Sequence, residues 1–164
     1  MEEAAIESSL RAFREAAERR DLEAILATLS PDVVVRSPVT DRLPVAGIEE
    51  ARELFGVVFA ELGELTYTDE LSSGDVRMLV YRGRLAGEEI EEAQLLRFDA
   101  MGRIRELTFF IRPLPALAGV AGRFAPALAR RRHGPLRALA MRVAGAALRL
   151  LIAFGDRVGS RILG

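Results

Sequence analysis

The stretch AFREAAERRDLEAILATLSPDVVVRSP, residues 12–38, decides the fold. Ile6, Leu10, Phe13 and Ala17 recur at helical spacing with Glu and Arg between them. A second stripe, Leu22, Ile25, Leu26 and Leu29, begins just after Asp21, which is placed to cap its first turn. Ser30-Pro31-Asp32 reads as a turn, and Val33-Val34-Val35 as a strand that Pro38 ends. Two helices delivering the chain into a β-branched run is a helix-first pattern.

Working outward, TDRLPVAG (40–47) reads as a loop and 48–63 as a third helix, with Ala51, Leu54, Phe55, Val58, Phe59 and Leu62 on its buried side. Glu49 and Glu50 fall in its first turn, where the helix dipole favours carboxylates. Strand-like segments follow at about 65–72, 76–86, 89–99 and 104–112, separated by Ser73-Gly74-Asp75, Gly87 and Ala100-Met101-Gly102. Within LLRFDAMGRIRELTFFIRPLP (95–115), Asp99 to Gly102 reads as a hairpin. Helices followed by a mostly antiparallel sheet make an α+β domain.

From Pro113 the pattern turns helical again. One helix carries Leu117, Val120, Ala121, Phe124 and Leu128, with a kink or restart expected at Pro126. A second is expected at about 136–154, after the basic break Arg130-Arg131-Arg132-His133-Gly134-Pro135. Charge divides at the same place. Residues 1–112 hold 23 acidic residues and 14 arginines, whereas 113–164 hold nine arginines and the single acid Asp156. A step of that kind separates two parts with different surroundings, so we divide the chain into 1–112 and an arginine-rich helical extension, 113–164.

Composition removes several chemistries. All 23 basic residues are arginine, so no lysine is present to form a Schiff base. Without cysteine there is no disulfide, thiolate nucleophile or sulfur metal site. No metal-ligand pattern, phosphate loop or dinucleotide fingerprint is present, so neither metal nor cofactor is expected. A formal charge of −1 asks for no nucleic acid. The acidic start MEEAAIESSL lacks the order of a secretory signal, which points to the cytoplasm.

Three motifs carry a resemblance: the helix-turn-strand RDLEAILATLSPDVVV (20–35), the helix start VAGIEEARELF (45–55) and the hairpin LLRFDAMGRI (95–104). With them residues 1–112 resemble the nuclear transport factor 2-like superfamily, which includes ketosteroid isomerases and SnoaL-like polyketide cyclases. The resemblance implies a cone-shaped, cystatin-like fold: a curved, mixed, mostly antiparallel sheet packed on the N-terminal helices around an apolar pocket. It implies less about reaction, because one such fold hosts many chemistries. The ketosteroid isomerases carry an aspartate base where this chain has Ser37. Their tyrosine oxyanion donor corresponds to Phe13, and their protonated aspartic acid to Gln94. Serine without its own activator cannot replace a carboxylate base, and Phe13 donates no hydrogen bond. This chain is therefore not expected to be a ketosteroid isomerase of the usual mechanism. The cyclases' acid/base residue has no counterpart either, since the only histidine, His133, lies outside the resemblance.

What remains is a binding site. Phe13, Phe55, Phe59, Tyr81, Phe109 and Ile111 are expected to line the cone, with Met78 and Phe98 converging on it, while Ser37 and Gln94 face inward to orient a ligand carbonyl. The alternatives are that Ser37 and Gln94 satisfy one another or a buried water, and that Tyr81 is an ordinary core aromatic. Asp41 and Arg42 are placed at the pocket mouth. Glu88, Glu89, Glu91 and Glu92 read as solvated surface, because consecutive strand residues point to opposite faces. The expected function is binding of an apolar, carbonyl-bearing small molecule, with isomerase or cyclase chemistry open. The alternative is a non-catalytic module: a sheet-face homodimer whose C-terminal helices pack on the acidic domain, bind a partner or touch a membrane surface. Three arginines interrupt 136–154, each costing roughly 2.5–3.5 kcal/mol at a bilayer centre, so that stretch is not read as a membrane span.

Overall fold

The computed structural model describes residues 2–40 and 45–133, together with 152, 154 and 155. Helix α1 (Glu2–Arg19) and helix α2 (Leu22–Ala27) meet at Arg20, whose positive φ of 55° turns the chain. Asp21 caps α2, its Oδ1 accepting from Ala24 N at 3.0 Å. Strand β1 (Leu29–Arg36) follows, then the two-residue β2 (Val45–Ala46), helix α3 (Ile48–Glu61), and strands β3 (Leu62–Ser73), β4 (Val76–Leu85), β5 (Glu88–Phe98) and β6 (Ile104–Arg112). Helix α4 (Leu114–His133) closes the described chain. The six strands form one sheet in the order β2-β1-β6-β5-β4-β3, antiparallel throughout except where β1 lies parallel to β6.

Two expectations change, and a third lies beyond the described residues. Ser30-Pro31-Asp32 is not a separate turn but part of β1, where the pairing with β6 slips between Leu29 and Val34. A strand-edge irregularity accommodates the missing proline N–H without ending the strand. Helix α4 runs through Pro126 rather than restarting there. The proline removes one backbone hydrogen bond from a 20-residue helix that is also held by tertiary packing. The expected helix at 136–154 falls almost entirely outside the described residues, as do Asp41 and Arg42.

Strand alternation divides the sheet into two faces. On β5, Ile90, Glu92, Gln94, Leu96 and Phe98 are buried, and the residues between them are half-buried. The inner face packs on α1, α2 and α3 in one large cluster that includes Phe13, Phe55, Leu79, Leu96, Phe98 and Leu107. A second cluster joins Leu62, Tyr81, Leu85 and Ile90 to Ala116 and Val120 of α4. Helix α4 thus lies against β5, β6 and α3, and an ion pair between Arg123 and Glu61 at 2.9 Å ties it to the end of α3. Met78 belongs to the other face. It pairs across the strands with Leu71 and Leu95, one residue out of phase with the inward Arg77 and Leu79. It therefore does not converge with the core aromatics, because a one-residue step on a strand reverses the side chain.

The inner face also holds Arg77, which is 1% exposed. Its guanidinium donates to Glu3 at 2.5 Å and Glu7 at 2.9 Å on α1, and to the carbonyls of Gly74 and Val76. Five donors in one plane satisfy two carboxylates and a turn at once. This clamp sets the position of α1 over the sheet. At the adjacent β5–β6 hairpin, on the same end of the sheet, Asp99 Oδ1 accepts from the N–H groups of Met101 and Arg103, and Gly102 takes φ +74°.

Candidate functional site

Where the two apolar clusters adjoin, the inner face turns polar. In register across three strands lie Tyr67 on β3, Tyr81 on β4 and Glu92 on β5, with Ile111 of β6 next to Glu92. Gln94 follows two residues along β5, on the same face, paired with Leu79 and Phe109. Glu92 is 3% exposed and Gln94 6%. Gln94 Nε2 donates to Glu92 Oε1 at 2.8 Å, and the Tyr81 hydroxyl donates to the same carboxyl. The rings of Tyr67 and Tyr81 meet edge-to-face at 5.8 Å, and the Arg14 guanidinium of α1 covers the Tyr67 ring at 4.9 Å.

Burial in this apolar setting raises the Glu92 pKa from its usual 4.5 to about 7, against the opposing pull of the Gln94 and Tyr81 hydrogen bonds. Burial, then the charge of Glu92, holds the Tyr81 hydroxyl well above its ordinary 10. Tyr67 is raised in the same way, by burial first and by Glu92 and Glu18 after it. Both phenols are therefore neutral donors at working pH, beside a carboxyl poised to gain or lose a proton. Glu91, one residue away on the outer face, behaves oppositely. Hydrogen bonding from Arg82, with Arg112 nearby, keeps its pKa below normal. Two polar atoms of the cluster, Tyr67 Oη and Gln94 Oε1, are shielded from solvent and find no hydrogen-bond partner among the described residues.

Glu92 corrects the reading of residues 88–92 as uniformly solvated. Glu89 is exposed and Glu88 and Glu91 are half-buried, but Glu92 is core. A signal was present: Glu92 shares strand parity with Ile90, Leu96 and Phe98, so an apolar face carries it inward. Tyr67 was missed because the pairing of β3 with β4 shifts on either side of Thr66 and Tyr67, which obscures the alternation.

The other expected site residues divide into groups. Tyr81 and Gln94 are in the cluster, and Ile111 and Phe59 pack against the apolar group that contains Tyr81. Phe109 is half-buried next to Gln94, whereas Phe13 and Phe55 are fully packed core residues. Ser37 stands apart at the end of β1. Its Oγ accepts from Val39 N at 3.1 Å in a local turn, and it makes no bond to Gln94. Two surface clefts flank the described domain. One is bordered by Arg11, Arg14, Glu18 and Glu70, the other by Glu64, Arg82, Arg84 and Glu89, and neither is lined by Glu92, Tyr81 or Gln94. No group of acidic or histidine side chains suited to a metal occurs among the described residues.

A curved, mostly antiparallel sheet packed on the N-terminal helices, with a buried Tyr67–Tyr81–Glu92–Gln94 cluster on its inner face, defines a cone-type, cystatin-like fold. Residues 10–107 match the model of the SnoaL-like domain, and the chain belongs to that family. No curated protein sequence matches it. Among solved structures, a steroid delta-isomerase from Pseudomonas aeruginosa superposes with a TM-score of 0.71 at 27% identity, over 79% of this chain and 95% of that one. A protein with a cystatin-like fold from Silicibacter pomeroyi gives 0.66 at 19% identity over 83% and 93%. A putative polyketide cyclase from Sinorhizobium meliloti gives 0.54 at 17% identity over 62% and 93%. No helix among the described residues is long and apolar enough to cross a membrane.

Proposed function

We propose that this protein binds an apolar, carbonyl-bearing small molecule between the sheet and helices α3 and α4, and that Glu92 moves a proton on it. The reading rests on one observation: a carboxyl buried among apolar side chains, with a pKa of about 7 and hydrogen bonds from Tyr81 and Gln94. A general base works best when its pKa lies near the operating pH. Carboxyls perturbed by burial and specific hydrogen-bond partners cluster at functional sites. In the proposed step the Glu92 carboxylate takes a proton from the carbon next to the carbonyl. The enolate oxygen is held by a neutral phenol, and Glu92 returns the proton at the same or a conjugated carbon. That is isomerase-type chemistry, and the steroid delta-isomerase among the structural relatives supports it. The base would be new in position, because Ser37 occupies the place where the ketosteroid isomerases hold theirs.

The test is exchange of the α-hydrogens of 1-tetralone in deuterated buffer, followed by NMR. The protein is expected to accelerate exchange, and Glu92→Gln to lower the rate by about 10²–10⁴-fold. Exchange at the buffer rate with wild type, or an unaffected Glu92→Gln, refutes the reading.

A second feature favours self-association alongside this site. The outer sheet face carries Leu71 and Phe110, 62% and 52% exposed, with Met78, Val80 and Leu95 half-buried between them. An apolar stripe of this kind on a sheet face fits a homodimer better than solvent.

A further inference from the structure

Of the two unpartnered atoms in the cluster, one has a remedy close by. When Glu92 is protonated and the Gln94 amide turns over, the carboxyl O–H can donate to Gln94 Oε1. The 2.8 Å contact between the two side chains already provides the distance. Tyr67 finds no partner among the described residues. Its hydroxyl oxygen is inaccessible to solvent and unbonded, although its ring is held by an edge-to-face contact with Tyr81 and by the Arg14 guanidinium over it. Arg14 is itself engaged by Glu70 at 2.8 Å, which keeps the guanidinium on the ring face. A buried hydroxyl without a partner costs about 1–3 kcal/mol and calls for a reason.

Building on the proposed function, we infer that Tyr67 is the residue that selects the ligand, donating its hydroxyl to the ligand's neutral carbonyl oxygen beside Glu92. Three observations carry this. The hydroxyl is a donor in search of an acceptor. It belongs to the same cross-strand row as Tyr81 and Glu92, with Tyr81 between them, so a ligand it holds lies along the row that leads to the acid. Its ring is held by Tyr81 and Arg14, so the donor is in place before a ligand arrives. The acceptor must be uncharged: a carboxylate there would set a second negative charge close to Glu92. A ketone or ester on an apolar body fits, and a bare hydrocarbon forfeits the bond. Tyr81 cannot take this role without giving up Glu92, to which it already donates.

The test uses three probes of one shape, 1-tetralone, tetralin and tetralin-1-carboxylate, against wild type, Tyr67→Phe and Glu92→Gln by equilibrium dialysis. Wild type is expected to bind the ketone about tenfold more tightly than the hydrocarbon, and the carboxylate weakest of the three. Tyr67→Phe removes the ketone preference while leaving tetralin within twofold, and the lowered carbonyl stretching frequency of bound 1-tetralone returns to its value in an apolar solvent. An equal loss for ketone and hydrocarbon would mean that Tyr67 only shapes the core, which overturns the inference. So would tight carboxylate binding, which would make Arg14 the reader. An unchanged ketone preference in Tyr67→Phe, with Glu92→Gln still slowing exchange, overturns Tyr67 and leaves the proposed function standing. Absence of any 1-tetralone binding by wild type removes both.

Discussion

Replacing Glu92 by glutamine tests the buried acid through stability, independently of any ligand. A carboxyl with a pKa of 4.5 unfolded and about 7 folded keeps its proton longer in the native state. Between those values the native protein binds more protons than the unfolded chain, so stability falls as pH rises through the window and levels off above about 7. The difference of about 2.5 units corresponds to about 3 kcal/mol lost at pH 8 relative to pH 4. Glutamine keeps the shape and the acceptor oxygen for Tyr81 but never ionises. Glu92→Gln should therefore melt close to wild type at pH 4 and above it at pH 8. For a chain of 164 residues the gap at pH 8 is about 6–12 °C. The assay is thermal unfolding by circular dichroism from pH 4 to 8.5, taking the difference between the two proteins so that every other titrating group cancels. A difference that stays flat with pH, or a variant less stable than wild type at pH 8, would refute the account of Glu92. Both tyrosines lie in this cluster and the chain has no tryptophan, so tyrosine emission should titrate with a midpoint near 7 in wild type alone.

Three further outcomes follow from the packing. Arg77→Met should destabilise by about 2–5 kcal/mol, the range for lost buried packing with stranded polar groups, and raise hydrogen exchange in the first turns of α1. Unchanged exchange there would show that the clamp does not hold the helix. Gly102→Ala should cost about 2 kcal/mol or more in urea unfolding, because φ is +74° and an added Cβ would sit 2.7 Å from Ala5 Cβ and 2.8 Å from its carbonyl carbon. Gly74→Ala is the control: φ is also positive, at +58°, but nothing lies within 4 Å, so it should cost less. Phe110→Glu should convert a dimer to a monomer in light scattering without lowering thermal stability at low concentration. A wild-type protein that is monomeric at 100 µM, on the order of a weak-dimer Kd, would remove the homodimer proposal.

The fold was legible before any coordinate. Helical spacing at Ile6, Leu10 and Phe13, the Asp21 cap, the valine run and the Asp99–Gly102 turn are all local signals, and each element they mark is present. Local signals fail where the chain's own neighbours are not the ones that matter. Ser37 and Gln94 both carry the polarity of a ligand-orienting pair, yet one is consumed by a turn at Val39 and the other by Glu92. Only the folded sheet reveals that, because those partners are set by backbone direction at a strand end and by cross-strand register.

The acid at position 92 shows the same division more sharply. The sequence holds the alternation of β5, with Ile90, Leu96 and Phe98 in one phase and Glu92 in step with them, although the reading of 88–92 as solvated surface passed over it. It could not determine that Tyr81 and Tyr67 would stand beside that glutamate, since register brings them from strands eleven and more residues away. Nor could it show that α4 would pack against the same region. A carboxyl's pKa depends on the water and charge around it, and those are properties of the assembled interior rather than of the residue.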